Sequence, residues 1–98
     1  MRRSGVAEER TMTAEEKVGI VTGYYAKIGV AAIRLTDGEL RVGDQVHIRG
    51  HTTDLTQSVD SLQVEHQPVE RAERGSEVAV KVLERVRAHD EVLRTREG

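Results

Sequence analysis

The sequence predicts an all-β domain, either a small barrel or a sandwich, from two observations. From Lys17 onward the chain is a series of short runs rich in Val, Ile, Thr and Tyr, separated by glycines, which is the pattern of strands and turns. Six such runs fall within about eighty residues, a density typical of small barrels and sandwiches. The predicted strands are residues 17–25, 28–36, 45–49, 55–65, 77–84 and 91–95.

Length and composition limit what this domain can be. At 98 residues the chain can bury one compact core but not two. It carries 15 basic and 17 acidic residues, a formal charge of -2, which excludes the domain-wide positive field of many nucleic-acid-binding proteins. Any RNA contact must therefore be a local patch. The chain has no cysteine, so disulfides, thiolate catalysis and cysteine zinc sites are excluded.

The first 15 residues are polar and lack periodicity, and we expect a disordered leader there, followed by one folded domain over residues 16–96. The leader contains no apolar run long enough for a signal peptide or a membrane anchor. The sequence therefore predicts a cytoplasmic protein without a membrane partner.

Apolar and polar residues alternate in most of the predicted strands, which assigns one face of each strand to the core. The inward sets are Ala31, Ile33 and Leu35 in the second strand, Val46 and Ile48 in the third, and Val78, Val80 and Val82 in the fifth.

Two turn signals separate the second and third strands. Asp37-Gly38 is the first, because glycine accepts a positive φ and aspartate bonds to its own backbone. Gly43-Asp44 is the second. Gly38, Gly43 and Asp44 are therefore predicted to be structural turn residues, with Leu40 between them covering one end of the core.

The fourth predicted strand breaks the alternation. Its apolar residues Val59, Leu62 and Val64 are out of phase by one position, which predicts a bulge at Asp60-Ser61. Residues 66–75 are too few for a packed helix and end at a glycine, so we expect a loop there.

The pattern G-x-L-x-x-G-D-x-V at residues 38–46 resembles the second domain of translational GTPases such as elongation factor Tu. A closer resemblance is to the C-terminal barrel of the collagenase-like peptidase family. It rests on VGIVTGYYAKIGVA, LTDGELRVGD, RGHTTDLTQSV and LQVEHQPVE. Both resemblances imply a closed, six-stranded, antiparallel Greek-key barrel.

Neither resemblance brings an activity with it. The sequence has no G-x-x-x-x-G-K-[ST] motif, so we expect no nucleotide and no GTPase activity. The peptidase catalytic domain is also missing, so we expect no enzyme, no catalytic residue and no cofactor. The resemblance implies a noncatalytic binding module for RNA or a ribonucleoprotein. The alternative is a protein-interaction domain that completes a separately encoded collagenase-like peptidase or RNA-modifying enzyme.

Two loops carry the predicted contacts to RNA or to a partner. In the first, an exposed tyrosine can stack on a base while an ammonium meets phosphate. In the second, a histidine, two hydroxyls and a carboxylate lie close together, although such side chains also bond loop backbone. The predicted contact residues are Tyr24, Tyr25 and Lys27 in the first loop, and Arg49, His51, Thr52, Thr53 and Asp54 in the second.

The histidines and some apolar residues are further candidates for a binding site. The spacing of His47, His51, His66 and His89 matches no compact ligand motif, so we predict surface or turn histidines and no metal. Under the protein-interaction alternative, an exposed apolar patch would face the partner. The residues predicted for that patch are Val69, Leu83 and Val86.

Overall fold

The computed structural model describes residues 13–97, which form ten β-strands. These are β1 (Thr13–Tyr25), β2 (Val30–Arg34), β3 (Leu40–Arg41), β4 (Gln45–Arg49), β5 (Asp54–Ser58), β6 (Leu62–Val64), β7 (Gln67–Pro68), β8 (Arg71–Ala72), β9 (Glu77–Lys81) and β10 (Glu91–Glu97). The all-β class is confirmed. Within this part of the chain no helix is long and apolar enough to cross a membrane. β1 includes residues 13–15, which fall in the predicted leader, and the rest of that leader lies outside the described residues.

The strands form one large and one small antiparallel sheet. The large sheet has the order β5-β4-β10-β1-β2-β9-β6-β7, and β3 pairs with β8 in the small one. The predicted number of six strands is wrong, because three two-residue strands and a break in the fourth predicted strand were missed. β5 and β7 are the edges of the large sheet, so strand pairing among residues 13–97 does not close it.

The predicted inward residues form the core. All eight of them are buried, as alternation along each strand requires. Further core residues come from β1, β3, β5, β6, β8 and β10 and from two connections: Val18, Val21, Leu40, Leu55, Val59, Leu62, Ala72, Val86 and Val92. All of these side chains are aliphatic and belong to one buried cluster.

The chain changes sheet partners where a bulge was predicted. β5 pairs with β4, whereas β6 pairs with β9 and β7, so Asp60-Ser61 lies in a break between strands and not in a bulge. Val59 precedes the break, and its N–H donates to Asp44 O at 2.8 Å. The bulges lie in β1 instead. Val18 has no paired residue in β10, and Thr22 has none in β2.

The two predicted turns need glycine for different reasons. Gly43 has a φ of 98°, a conformation that side chains disfavour. Asp44 closes this turn by accepting the Arg41 N–H at 2.9 Å. Gly38 does not have a positive φ, so the prediction that its turn requires that conformation is wrong. A Cβ at Gly38 would lie 3.1 Å from Val18 Cγ1, and close approach to β1 explains this glycine.

A buried guanidinium lies near these turns. Arg94 Nη2 is 3.2 Å from Glu16 Oε1, and Arg94 Nη1 donates to Glu39 O at 3.1 Å and lies 3.7 Å from Asp44 Oδ2. This ion cluster covers the end of the core that we call the turn end. It ties β10 to β1 and to the turns around β3, which is a structural task.

Candidate functional site

Sheet topology brings both predicted contact loops to one end of the domain. β1 and β4 are each antiparallel to β10, so they run in the same direction and their last residues point the same way. Arg49 is level with Ile20 through Glu91, and β1 continues five residues further to Tyr25. The turn after Tyr25 and the loop after Arg49 extend from these strand ends. We call this the loop end, and it lies opposite the turn end.

The two tyrosines of the first loop have different surroundings. Tyr24 packs against the core, so it is part of the scaffold. Tyr25 is 56% exposed, and the turn that follows is closed by the Gly29 N–H donating to Tyr25 O at 2.9 Å. Lys27 is exposed within that turn. Tyr25 and Lys27 are therefore available to a ligand, whereas Tyr24 is not.

The second loop is partly structural. The Gly50 N–H donates to Thr53 O at 2.8 Å, and Thr53 is buried. His51 and Thr52 are exposed at the tip. Arg49 Nη2 lies 3.4 Å from Glu91 Oε1, a weak surface pair. The loop therefore presents Arg49, His51 and Thr52 outward, and its remaining predicted residues serve the loop itself.

Asp54, the last predicted residue of this loop, pairs with a histidine that sequence reasoning assigned to the surface. His47 Nε2 lies 2.6 Å from Asp54 Oδ1, and its Nδ1 lies 2.7 Å from Glu15 Oε2. The His47 side chain is only 17% exposed. The hydrogen bond to Asp54 raises the pKa of His47, burial opposes this, and the Glu15 contact raises the pKa further. His47 lies in β4, so its imidazole links β4 to the neighbouring strand β5 and, across β10, to β1.

A second loop-end feature that the sequence did not indicate is the turn at residues 87–90. Asp90 is buried, and its Oδ2 accepts the Arg87 N–H at 2.9 Å. The His89 N–H donates to Val21 O at 2.7 Å, and His89 has a φ of 79°. A Cβ at Gly50 would overlap the Asp90 carboxylate. The 87–90 turn and the second loop are therefore packed directly together.

These two segments enclose a shallow depression of about 620 Å³ that is lined by residues 49–51 and 87–91. We call it the loop-end depression. Two arginines and two histidines contribute to its lining, namely Arg49, Arg87, His51 and His89. Asp90 and Glu91 supply two carboxylates, so the lining is formally neutral when both imidazoles are neutral.

A row of small residues crosses the outer face of the large sheet. Gly23 is opposite Ala32 in β2, Ala32 is opposite Ala79 in β9, and Ala79 is opposite Gln63 in β6. These residues line an open trough of about 810 Å³. Tyr25 also lines it. The trough depends on the register of four strands, so the sequence does not indicate it.

The predicted apolar patch is only partly correct. Leu83 is 74% exposed, but Val86 is buried in the core and Val69 packs partly against it. The prediction of an outward Val86 is wrong, because the segment after β9 turns inward there. Ile28, which was not predicted, is 63% exposed. Since the Val82 N–H donates to Gly29 O, Leu83 lies beside the Ile28 turn at the loop end.

Among the described residues, no three histidine, aspartate or glutamate side chains are grouped so that they could hold a metal ion. In the His47 cluster the two carboxylates lie on different ring nitrogens. Such an arrangement holds a proton between groups and does not converge on one point.

Comparison with known proteins identifies the class of domain. The chain matches the family described as elongation factor Tu domain 2 over residues 29–92, which begins at the turn before β2 and ends within β10. It therefore belongs to the elongation factor Tu domain 2 family. More particularly, it is an elongation factor Tu domain 2-like module homologous to the C-terminal domain of U32 collagenase-type peptidases.

Two curated relatives are similar to this chain over most of its length. A collagenase of Porphyromonas gingivalis is 37% identical over 78 residues, which are 79% of this chain and 22% of the collagenase. An uncharacterized protease of Methanocaldococcus jannaschii is 38% identical over 82 residues, 83% of this chain and 20% of that protein. The chain thus spans about a fifth of the length of these relatives.

The solved structures share the fold. The C-terminal domain of a Geobacillus thermoleovorans protein assigned to the U32 peptidases superposes with a TM-score of 0.74 at 24% identity, covering 81% of this chain and 98% of that domain. A second structure of that domain gives a TM-score of 0.71 at 23% identity, covering 85% and 92%.

Proposed function

We propose that this domain is a noncatalytic binding module that contacts RNA through its loop end. The observation that carries the proposal is that an exposed aromatic ring and several cations lie at the same end of the sheet. Tyr25 offers a ring face for base stacking. Lys27 is exposed in the turn after β1, and Arg85 and Arg87 are exposed between β9 and β10; none of them has an ion pair among residues 13–97. These cations are the local contacts through which a chain of net charge -2 can bind RNA.

The scaffold for these loops is inferred to be a closed antiparallel barrel. Family membership supports closure, and so does a side chain at the edge of the large sheet. Gln57 Nε2 donates to Lys81 O at 2.9 Å, and Gln57 Oε1 accepts the Leu83 N–H at 2.8 Å. These two side-chain hydrogen bonds connect β5 to the last residue of β9 and to the segment that follows it, where the Gln57 amide replaces backbone pairing between the two strands. Closure of this kind would hold the two loops at a constant separation.

Binding of labelled single-stranded RNA tests the proposal. The assay is fluorescence anisotropy with an eight-nucleotide oligouridylate. For each phosphate contact, the logarithm of the association constant should fall by about 0.7 for every tenfold rise in salt concentration. Tyr25→Ala should cost about 1–3 kcal/mol, the value of one stacked base. Val42→Ala is the matched control, because Val42 is an exposed apolar residue near the turn end. Absence of binding at low salt, or equal affinities of the Tyr25 variant and wild type, would contradict the proposal.

Docking to protein is the second candidate, and a separate observation favours it. Ile28 and Leu83 are large, exposed and apolar at the loop end, and exposed apolar clusters mark protein contacts. The trough nearby includes a row of small residues, Gly23, Ala32 and Ala79, beside Tyr25 and Ile28. Since the matched part of this chain is only 20–22% of the length of these relatives, the partner under this candidate is a peptidase catalytic domain.

A pulldown from cell extract with and without RNase separates the candidates. Material that is lost on RNase treatment supports RNA binding. A protein that stays bound after RNase, and that is lost with Ile28→Ser/Leu83→Ser, supports docking. Both substitutions replace exposed side chains, so the domain should remain folded, and circular dichroism checks this.

A further inference from the structure

We propose that the loop-end depression binds a phosphate group through Arg49, His51, Arg87 and His89. The proposal rests on the proposed RNA contact in one respect, since a phosphodiester of RNA is the expected source of that group. It adds a specific place and specific partners on a surface where the loop end offers several cations.

The chemistry of the lining selects an oxyanion. Arginine presents a planar fork of N–H donors that matches phosphate oxygens, and a protonated imidazole donates from both nitrogens. Two residues of each kind line the same depression. The depression is shallow and open to solvent, so a phosphate group on an RNA backbone can reach the residues that line it.

The two walls are held in place before any ligand arrives. Gly50 packs against the Asp90 carboxylate so closely that a Cβ would overlap it. That carboxylate also accepts the Arg87 N–H. His89 has a φ of 79°, which is uncommon for a residue other than glycine and is typical of sites where the surroundings impose a conformation. The arginine and histidine side chains thus extend from a rigid base.

The two carboxylates of the depression already have partners in the protein. Arg49 Nη2 pairs with Glu91, and the buried Asp90 carboxylate accepts the Arg87 backbone N–H. A guanidinium carries five N–H donors, so both arginines keep donors that a phosphate oxygen can use.

An NMR titration of the full chain tests the site with two probes. At constant ionic strength, inorganic phosphate at pH 6.0 should shift the amide resonances of Gly50, His51, Ala88 and His89. Sulfate, a second tetrahedral oxyanion, should shift the same amides. The eight-nucleotide oligouridylate should shift the same four amides.

Two variants and one control assign the binding to the depression. Arg87→Gln should weaken sulfate binding at least about threefold and lower the salt slope of RNA binding by about 0.7. His89→Asn keeps a residue that tolerates positive φ and should also weaken sulfate binding, because it removes the imidazole from the lining. Arg74→Gln, an exposed arginine near the turn end, should change neither. Arg87→Gln should fold, because Asp90 contacts the Arg87 backbone N–H and not its side chain.

The possible results separate this site from the proposed function. Phosphate shifts at the four amides without any RNA binding would leave the site in place for a free phosphate ligand and overturn the RNA function. RNA binding that leaves these amides unshifted, with no phosphate response, would overturn the site and keep the function. Equal affinities of Arg87→Gln and wild type for sulfate would also overturn the site.

Discussion

Raising the pH should destabilise this domain through a single histidine. When His47 is protonated, Nε2 donates to Asp54 Oδ1 and Nδ1 donates to Glu15 Oε2, at 2.6 and 2.7 Å. A neutral imidazole carries one N–H, so it can donate to only one of these carboxylates. Deprotonation therefore removes one link between the strands of the large sheet and leaves a carboxylate facing a lone pair.

The direction of the effect follows from the raised pKa of His47. The hydrogen bond to Asp54 is the largest cause, burial opposes it, and the Glu15 contact adds to it, with the result above the 6.5 usual for histidine. Between that ordinary value and the folded-state pKa, the folded chain keeps a proton that the unfolded chain has lost. Stabilisation is thus complete below about pH 6.5 and is lost as the pH rises through the folded-state pKa.

The size of the effect is limited by solvent. Asp54 is 84% exposed, so the lost pair is worth the ~0.2–1 kcal/mol of an exposed ion pair and not the ~1.5–3 kcal/mol of a well-shielded charged hydrogen bond. For a domain of this length, 1 kcal/mol corresponds to about 4–8 °C in Tm. The His47 contribution to Tm should therefore fall by roughly 1–8 °C as the proton is lost.

Calorimetry of wild type and His47→Gln from pH 5.5 to 9 measures this contribution. Other titrating groups are common to both proteins, so they cancel in the difference between the two Tm curves. The difference should be largest at low pH and should shrink as the pH rises, whereas the His51→Gln control should follow wild type. Asp54→Asn should weaken the pH dependence, since it removes the largest cause of the raised pKa. Parallel curves for wild type and His47→Gln would refute the reasoning.

Further predictions concern the backbone and the sheet edge. Gly19→Ala should cost at least about 1–3 kcal/mol in urea unfolding, because its Cβ would overlap a backbone carbonyl of β2, whereas Gly23→Ala in the same strand has nothing within 4 Å and should cost little. Gln57→Ala removes the partners of the partly buried Leu83 N–H and Lys81 carbonyl and should cost about 0.5–1.5 kcal/mol, with faster amide exchange at Leu83. Glu65 and His66 connect β6 and β7 and both have positive φ, as in a type I′ turn, which favours Asn-Gly. Glu65→Asn/His66→Gly should therefore raise Tm by a few degrees, and a lower Tm would contradict this turn type.

Much of the fold was predictable because its determinants are local. Alternation identified the inward residues of β2, β4 and β9, since side chains in a strand point to opposite faces at every step. The turn at Gly43-Asp44 was predictable from the glycine and from the aspartate that bonds its own turn. The two-residue strands β3, β7 and β8 were not, because two residues carry no period.

Of the candidate site, the sequence indicated the two loops but not the roles of their residues. Tyr24 and Tyr25 are adjacent and chemically identical, yet one packs on the core and the other is exposed. The role of Gln57 is indicated by its position in the alternation, because it shares the inward face with Leu55 and Val59. A polar residue at such a position predicts a specific buried partner.

The sequence by itself determined that the domain is all-β, which residues form its core, and which segments connect the strands. These properties depend on side-chain periodicity and backbone preferences over a few residues. The tertiary structure alone decided that both loops share one end, that His47 meets Glu15 from 32 positions away, and that Gly50 packs on Asp90. Each of these depends on strand order and register, which are set by long-range pairing and have no local signature in the chain.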